Sequence, residues 1–429
     1  MKEFANKFID FIHKSPNTFF AVYNNKEILE KNNYTELKVE EKWDLKNNKY
    51  YVKINESALV AFEIGNGDIE KEGFRIVASH TDSPSIKIKP QSEIQENNYL
   101  KLNIEIYGGP ILNTWLDRPL SLSGRVYSRG ENSFSPKLHL IKIERPLLII
   151  PNLAIHQNRE VNKGYELNKQ IDMLPLLALI EDNFEKDKVL LELLAKEIGI
   201  NQDDIIDFEL YLHEFEKGQV LGLNEEFISA SRIDNLASVY ASTSALIDSE
   251  SFRGIKVIVA FDNEEIGSST RQGADSLMLS NLLEKIVYSL NKDRDNYIRA
   301  LENSFMLSVD GAHAIHPNQA SKTDITNKPM LNKGVAIKYN ANFSYTTDAL
   351  SSSIIKELAR KNSIKLQSFV NRSDIAGGST IGPLSAKYLP IKSIDIGLPM
   401  LAMHSIRELC GVEDLDSLSS LIKKFFSEN

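Results

Sequence analysis

Two histidines and a set of carboxylates stand where a folded chain could gather them for metal chemistry. The apolar run RIVAS leads into His80 and Asp82, KVIVAF into Asp262, Glu264 and Glu265, and FMLSV into Asp310. His404 follows shortly after the run IKSIDIG. Imidazoles with carboxylates and no thiolate suit one or two zinc ions that keep positions open for water. Two ions about 3.5–4 Å apart need a bridging carboxylate, a histidine and an acid on each ion, and a free base nearby. The spacing His80-x-Asp82 suits a ligand whose second ring nitrogen is held by a carboxylate. In Glu264–Glu265 adjacent side chains diverge, so one can ligate while the other acts on a water as general base. Taken singly, each feature has an ordinary explanation. His-x-Asp is commonly a surface pair, Glu-Glu a solvated cluster, Asp after a strand a turn former or helix cap, and His404 could be a buried structural histidine. Their joint placement carries the argument.

That placement depends on strands that all deliver their ends to one edge. YYVKI, ALVAFEI and GFRIVAS read as strands between 50 and 80, separated by Asn, Gly and Asp turns. Before them, Phe4, Phe8, Phe11 and Ile12 fall at helical spacing and predict an opening amphipathic helix. From about 221 onward helices alternate with strands: IDNLASVYASTSALID, GIKVIVAFD, DSLMLSNLLEKIVYSL, NSFMLSVDG, LPIKSIDIG and a closing helix at DLDSLSSLIKKFFSE. The expected fold is α/β, a mixed, largely parallel central sheet sandwiched by helices. In such open sheets ligands bind beyond the carboxyl ends of the strands.

Between about 92 and 220 the character differs. Leu100, Leu102, Ile104 and Ile106 alternate with Lys101, Asn103 and Glu105, the pattern of a half-buried antiparallel strand. LSLSGRVYS, KLHLIKI, PLLII and DIIDFELYLHE read as further strands, and EKDKVLLELLAKEI (185–198) as a helix. We therefore divide the chain into 1–91 with 221–429, which carries the chemistry, and a β-rich insertion at 92–220.

Composition narrows the partners. With 50 Lys plus Arg against 59 Asp plus Glu, the net charge of −9 argues against nucleic acid or an anionic membrane. One cysteine, Cys410, allows neither an internal disulfide nor a cysteine-based zinc knuckle. No apolar run reaches the ~20 residues a membrane span needs, and the N-terminus MKEFANKFIDFIHKS is too interrupted by charge for a signal peptide. A cytoplasmic globular protein is expected.

The chain resembles the aspartyl aminopeptidases, dinuclear zinc exopeptidases, over nearly its whole length. The resemblance rests on SHTDSP (79–84), IPNLAIH (150–156), SRIDNLAS (231–238), FDNEEIGS (261–268), SVDGAHAIHPN (308–318), KGVAIKYNANFSY (333–345), GGSTIGP (377–383) and LAMHSIRE (401–408). It implies that Asp234, which spacing alone does not single out, bridges two zinc ions for which Mn or Co can substitute. His80 and Asp310 would complete one site, Glu265 and His404 the other. Glu264 would be the general base, and Asp82 would orient His80. His156 would reach from the insertion into a neighbouring subunit's active site. Lys338, Tyr345 and the loop around Gly378 would line the substrate pocket. His313 and His316 would shape the metal loop, while His13, His139 and His213 would be structural or surface residues. The family's tetrahedral dodecamer, built from dimers, implies a homo-oligomer with 92–220 as the dimerisation surface. The implied activity is release of single N-terminal residues from peptides, with an acidic or broad preference. The alternatives are another two-zinc amidohydrolase (a deacylase or carboxypeptidase) and a silent peptide-binding relative. The first would lack IPNLAIH and KGVAIKY, and the second would usually have lost the base or a ligand.

Overall fold

A computed structural model describes residues 1–180 and 188–428. Its larger sheet has twelve strands. The strands Ile255–Phe261, Phe74–His80, Phe305–His313 and Lys392–Leu401 lie side by side at its centre and run parallel. They are buried along nearly their whole length and mostly apolar, as strands covered on both faces must be. Towards the margins the pairing turns antiparallel, through Lys49–Ile54 and Ala58–Ile64 on one side and Glu408–Gly411 on the other. Short connections explain this, since a tight turn can join only antiparallel neighbours.

One face of this sheet is covered by the helices Lys2–Lys14, Thr18–Lys31, Ile233–Asp248 and Val412–Ser427, which share a core with Leu307, Ile396 and Val77. The helices Met278–Ser289 and Arg294–Glu302 pack on the other face around Phe62, Phe74 and Val257. Asn17 caps the second helix by accepting from the Phe20 N–H at 3.2 Å. Asp293 caps the helix that follows it in a reciprocal arrangement with Asn296.

The second sheet is antiparallel and six-stranded, in the order Lys137–Lys142, Leu120–Ser128, Ile205–Glu214, Ser85–Glu96, Tyr99–Tyr107, Leu176–Leu179. It has its own core of Ile86, Leu102, Ile104, Leu122 and Leu210, closed by Leu190 and Leu194 from the helix Val189–Ile198. The sheet begins at Ser85, so the strand that opens it departs only a few residues after His80. The expected strand PLLII makes only isolated bridges, Leu120 with Leu148 and Ile149 with Leu176. Pro146 and Pro151 bracket it and cannot donate to a ladder. The first residues of the expected helix 185–198 lie outside the described residues, and the helix is seen from Val189. Among the described residues no helix is long and apolar enough to cross a membrane.

Candidate metal centre

The registers of the central strands bring the chemistry together. Phe261 pairs with His80 in the parallel ladder, so the two strands end abreast. Asp82 and Glu264 then lie just past the same edge. Asp310 arrives from the next strand, opposite Gly397, where a Cβ would meet the Asp310 carbonyl oxygen at 2.8 Å. Glu264 and Glu265 occupy a single 3-10 turn. Asp234 stands at the start of the helix Ile233–Asp248, and its peptide bond to Asn235 is cis.

The two carboxylate oxygens of Asp234 face different histidines. Oδ1 lies 3.6 Å from His80 Nε2, and Oδ2 lies 3.7 Å from His404 Nε2. Asp310 Oδ1 is 3.5 Å from the same nitrogen of His80, and Glu265 Oε2 is 3.3 Å from that of His404. Glu264 Oε2 stands 3.9 Å from His80 Nε2. Among the described residues three donor triads form; two of them, His80–Asp234–Asp310 and Asp234–Glu265–His404, share Asp234, and the third is His80–Glu264–Glu265.

The residues fit a metal. Ligands on one tetrahedral zinc, with bonds of about 2.0–2.1 Å, stand roughly 3.3 Å apart, close to these separations. Asp234 Oδ1 is buried and accepts no hydrogen bond, an orphaned acceptor that a cation would satisfy. The electrostatics point the same way. Burial first, then Asp310 and Glu265, push the Asp234 carboxyl well above the usual carboxylate range. Burial also pushes Glu265 well up and Glu264 up to about 7, although His80 opposes both shifts. Burial resists ionisation of Asp310 too, but Lys338 and His80 outweigh it and hold that acid below its ordinary range. Four carboxylates around two imidazoles, with one buried ammonium in contact, form a site short of positive charge.

The supports are specific. Asp82 Oδ1 stands 3.3 Å from His80 Nδ1 and accepts from the Glu264 N–H, while its Oδ2 accepts from the Glu265 N–H, both at 3.1 Å. The Tyr107 hydroxyl donates to the same Oδ2 at 2.7 Å. Glu408 accepts from the Asp234 N–H at 2.9 Å and the His404 N–H at 2.7 Å, so one carboxylate fixes the backbone of two donors. Sequence reasoning did not single out Tyr107 or Glu408. Tyr107 reads as the end of an ordinary strand. Glu408 was detectable only as an acid four residues after His404.

The remaining expected residues divide. The Lys338 ammonium is buried and turned to Asp310 Oδ2 at 3.2 Å and the Gly311 carbonyl at 2.7 Å, with the Tyr345 ring 5.0 Å away. Tyr345 is itself buried against Phe369. Gly378 lies exposed, with open space where a Cβ would point. His156 is exposed, in the turn after Ile150. Asp262 turns away from the donors towards Thr18 Oγ1 at 3.2 Å. His313 lies near Phe369, His316 accepts from the Asn318 N–H, and His139 is 2.8 Å from Ser128 Oγ. His213 is buried in the strand Ile205–Glu214.

Fold and donor set together define a class: an α/β metalloenzyme with histidines and carboxylates gathered at the carboxyl edge of a mixed sheet. The family model of the Aminopeptidase I zinc metalloproteases (M18) matches residues 11–426, and the chain belongs to that family of aspartyl aminopeptidases, zinc peptidases that hydrolyse peptide bonds. It is 53% identical over 427 residues to a probable M18 family aminopeptidase 2 of Clostridium novyi, covering 99% of each chain. A protein of the same description from Pseudomonas fluorescens is 40% identical over 433 residues, covering 100% of this chain and 99% of the relative. Among solved structures, that of the S. cerevisiae mApe1 dodecamer matches with a TM-score of 0.85 at 29% identity, covering 98% of this chain and 96% of the other.

Proposed function

We propose that this aminopeptidase releases single N-terminal residues from peptides with two cations, held by His80, Asp234 and Asp310 and by Asp234, Glu265 and His404. The observation that carries the reading is Asp234, whose two oxygens face His80 and His404 separately. Zinc is the metal expected, with Mn or Co able to substitute. When bound, such ions polarise a scissile carbonyl and bring the pKa of a water towards neutrality.

The chain's own residues supply the rest. The Asp82 backbone carbonyl, 3.1 Å away, accepts from His80 Nδ1, with the Asp82 carboxylate beside it at 3.3 Å, and so leaves Nε2, with its lone pair, facing Asp234 and Asp310. Lys338 keeps Asp310 ionised. Glu264 is the general base: it belongs to neither triad that shares Asp234, yet stands 3.9 Å from His80. Its carboxylate takes a proton from the attacking water and passes it to the leaving amide nitrogen. Water oxygen joins the carbonyl carbon, the C–N bond breaks, and a free amino acid and a peptide one residue shorter depart.

His156 acts in this reading at the active site of a neighbouring copy, where it stabilises the developing oxyanion. The assembly is a homo-oligomer, a tetrahedral dodecamer built from dimers, with the β-rich 92–220 region as the dimerisation unit and 1–91 with 221–429 as the catalytic one. A closed chamber of that kind admits only chain ends. Its location is the cytoplasm, and its preference at the N-terminal residue is acidic or broad, set around Lys338, Tyr345 and Gly378.

The test is hydrolysis of peptides bearing N-terminal Asp, Glu, Leu, Lys or Ala by chelator-stripped and zinc-refilled protein, with zinc counted per chain. Two zinc ions, zinc-dependent release, and a kcat about 10²–10⁴-fold lower in Glu264→Gln with zinc content unchanged are expected. A Glu264→Gln enzyme as fast as wild type would remove the base from this role.

A further inference from the structure

The metal centre sits on the large sheet, yet a turn leaving the second sheet touches the support of both histidines. The strand Tyr99–Tyr107 ends in Tyr107, and Gly108, Gly109, Pro110 and Ile111 follow. The Tyr107 hydroxyl donates to the carboxylate of Asp82, the residue whose backbone carbonyl lies 3.1 Å and whose Oδ1 lies 3.3 Å from His80 Nδ1. Two residues on, the Gly109 carbonyl lies 3.1 Å from His404 Nδ1. The Ile111 N–H then donates to the His404 carbonyl at 2.9 Å, and the Ile406 N–H donates to Thr114 Oγ1 at 3.0 Å. Between the two imidazoles Gly108 adopts φ +69°, and a Cβ there would stand 3.2 Å from Glu265 Cβ. Only glycine brings the backbone that close in that conformation.

We propose that the turn Tyr107–Ile111 is the positioning element of the metal centre, fixing His80 through Asp82 and His404 through its Nδ1. The proposal rests on the two-cation reading above. An imidazole ligates well when its other nitrogen is bonded, because that bond fixes both tautomer and ring orientation. The Asp82 carboxylate receives three donors, the Glu264 and Glu265 N–H groups and the Tyr107 hydroxyl, while the Asp82 backbone carbonyl lies 3.1 Å from His80 Nδ1. The two N–H donors come from the large sheet's own edge. The phenol alone comes from the second sheet, where the Tyr211 ring holds it edge-on at 5.9 Å. Asn263 Nδ2 adds a bond to the phenol oxygen at 3.0 Å, which directs its proton towards Asp82. The grip on zinc therefore depends on how the second sheet is seated, and Tyr107 is the link through which that seating is felt.

A cavity of about 40 Å³ lies beneath the turn, lined by Tyr107, Asp82, Trp115 and His404. It is large enough for water, and its mainly apolar walls carry the polar groups of Tyr107, Asp82 and His404. A water there could replace part of a lost phenol hydrogen bond, which limits the expected effect to the lower end of the range for such supports.

The experiment measures zinc release from the full-length enzyme to a chelating indicator, alongside zinc per chain, melting temperature, kcat and KM. Tyr107→Phe removes one hydroxyl and no packing, and should release zinc about 10-fold faster with kcat lowered and KM little moved. Gly108→Ala, strained at positive φ and pressed on Glu265, should release it faster still. Tyr211→Phe, which touches Tyr107 but not Asp82, should release zinc at the wild-type rate. Tyr107→Phe and Gly108→Ala enzymes that both keep the wild-type release rate, even with lowered melting temperatures, would overturn the proposal and leave the turn a packing element. Failure of the two-cation reading is distinguishable, because it would appear in the wild type as fewer than two zinc ions per chain.

Discussion

The carboxyl edge of the large sheet and the 149–179 segment, which ends in an edge strand of the second sheet, both carry a histidine that the proposed function uses, and they are built on opposite principles. At the sheet edge every donor is held. His80 is backed by Asp82, His404 by the Gly109 carbonyl, and the Asp234 and His404 backbones by Glu408. His156 has no such support. It is exposed, as are its chain neighbours Leu153 and Ile155 and also Ile171, which shares a groove with Leu153. A catalytic group needs fixed geometry, so under the proposed function the first region acts within one chain, while the second takes its order from another surface. Exposed apolar residues gathered near one loop are the usual mark of such a surface.

The sharpest way to break the contrast is at Asp234. If its two oxygens serve two ions, Asp234→Asn should release both zinc ions together and lower activity to background, as read by metal analysis. One zinc retained at wild-type affinity would show that Asp234 serves a single site. The same variant makes an opposite prediction for stability. A buried carboxylate crowded by Asp310 and Glu265 destabilises the metal-free fold, so metal-free Asp234→Asn should melt above metal-free wild type.

The complementary test falls on His156. His156→Phe should keep two zinc ions and lose kcat by about 10²-fold, the scale of one lost oxyanion donor. Oligomers mixed from His156→Phe and Glu264→Gln chains should regain activity, since a site with an intact base would then meet an intact histidine from its neighbour. Leu179→Glu, at a side chain 76% exposed, should split the oligomer in sedimentation and lower activity as His156→Phe does. Activity kept by a monomeric Leu179→Glu protein would mean that the second region completes nothing.

How far the sequence revealed these regions follows from the same contrast. The central strands were legible because burial on both faces demands uninterrupted apolar runs, and their polar ends named His80, Glu264, Glu265, Asp310 and His404. Asp234 was not legible from spacing. It enters at a helix start, where an aspartate ordinarily caps, and only the family strings assigned it. Tyr107, Gly109 and Glu408 were hidden for a deeper reason. Each acts through a contact made by tertiary packing, and neither a tyrosine closing a strand nor a Gly-Gly turn carries a local sign of what it will touch. Lys338 was legible as a residue of interest, but the direction of its ammonium, towards Asp310 and the Gly311 carbonyl, was not.

The smallest effect expected tests the seam between the two regions. His213 belongs to the second sheet, and its Nδ1 is buried without a hydrogen-bond partner. Burial above all, with Arg232, Lys142 and His13 adding repulsion, holds its pKa well below the ordinary value of 6.5. A histidine neutral in the fold and free to protonate when unfolded contributes stability that is intact above pH 6.5. That stability is lost as the pH falls below it, because the unfolded chain then binds the extra proton. One such group sets a slope of at most about 1.4 kcal/mol per pH unit. The zinc-loaded protein should therefore lose unfolding free energy between pH 7 and pH 5.5, and His213→Asn should flatten the loss. His13, also held below its ordinary value by burial and Lys142, contributes in the same direction, so the flattening should be partial. A slope unchanged by His213→Asn would place the acid sensitivity in the carboxylate cluster, where metal release rather than the seam would govern it. Zinc content measured across the same pH range separates the two.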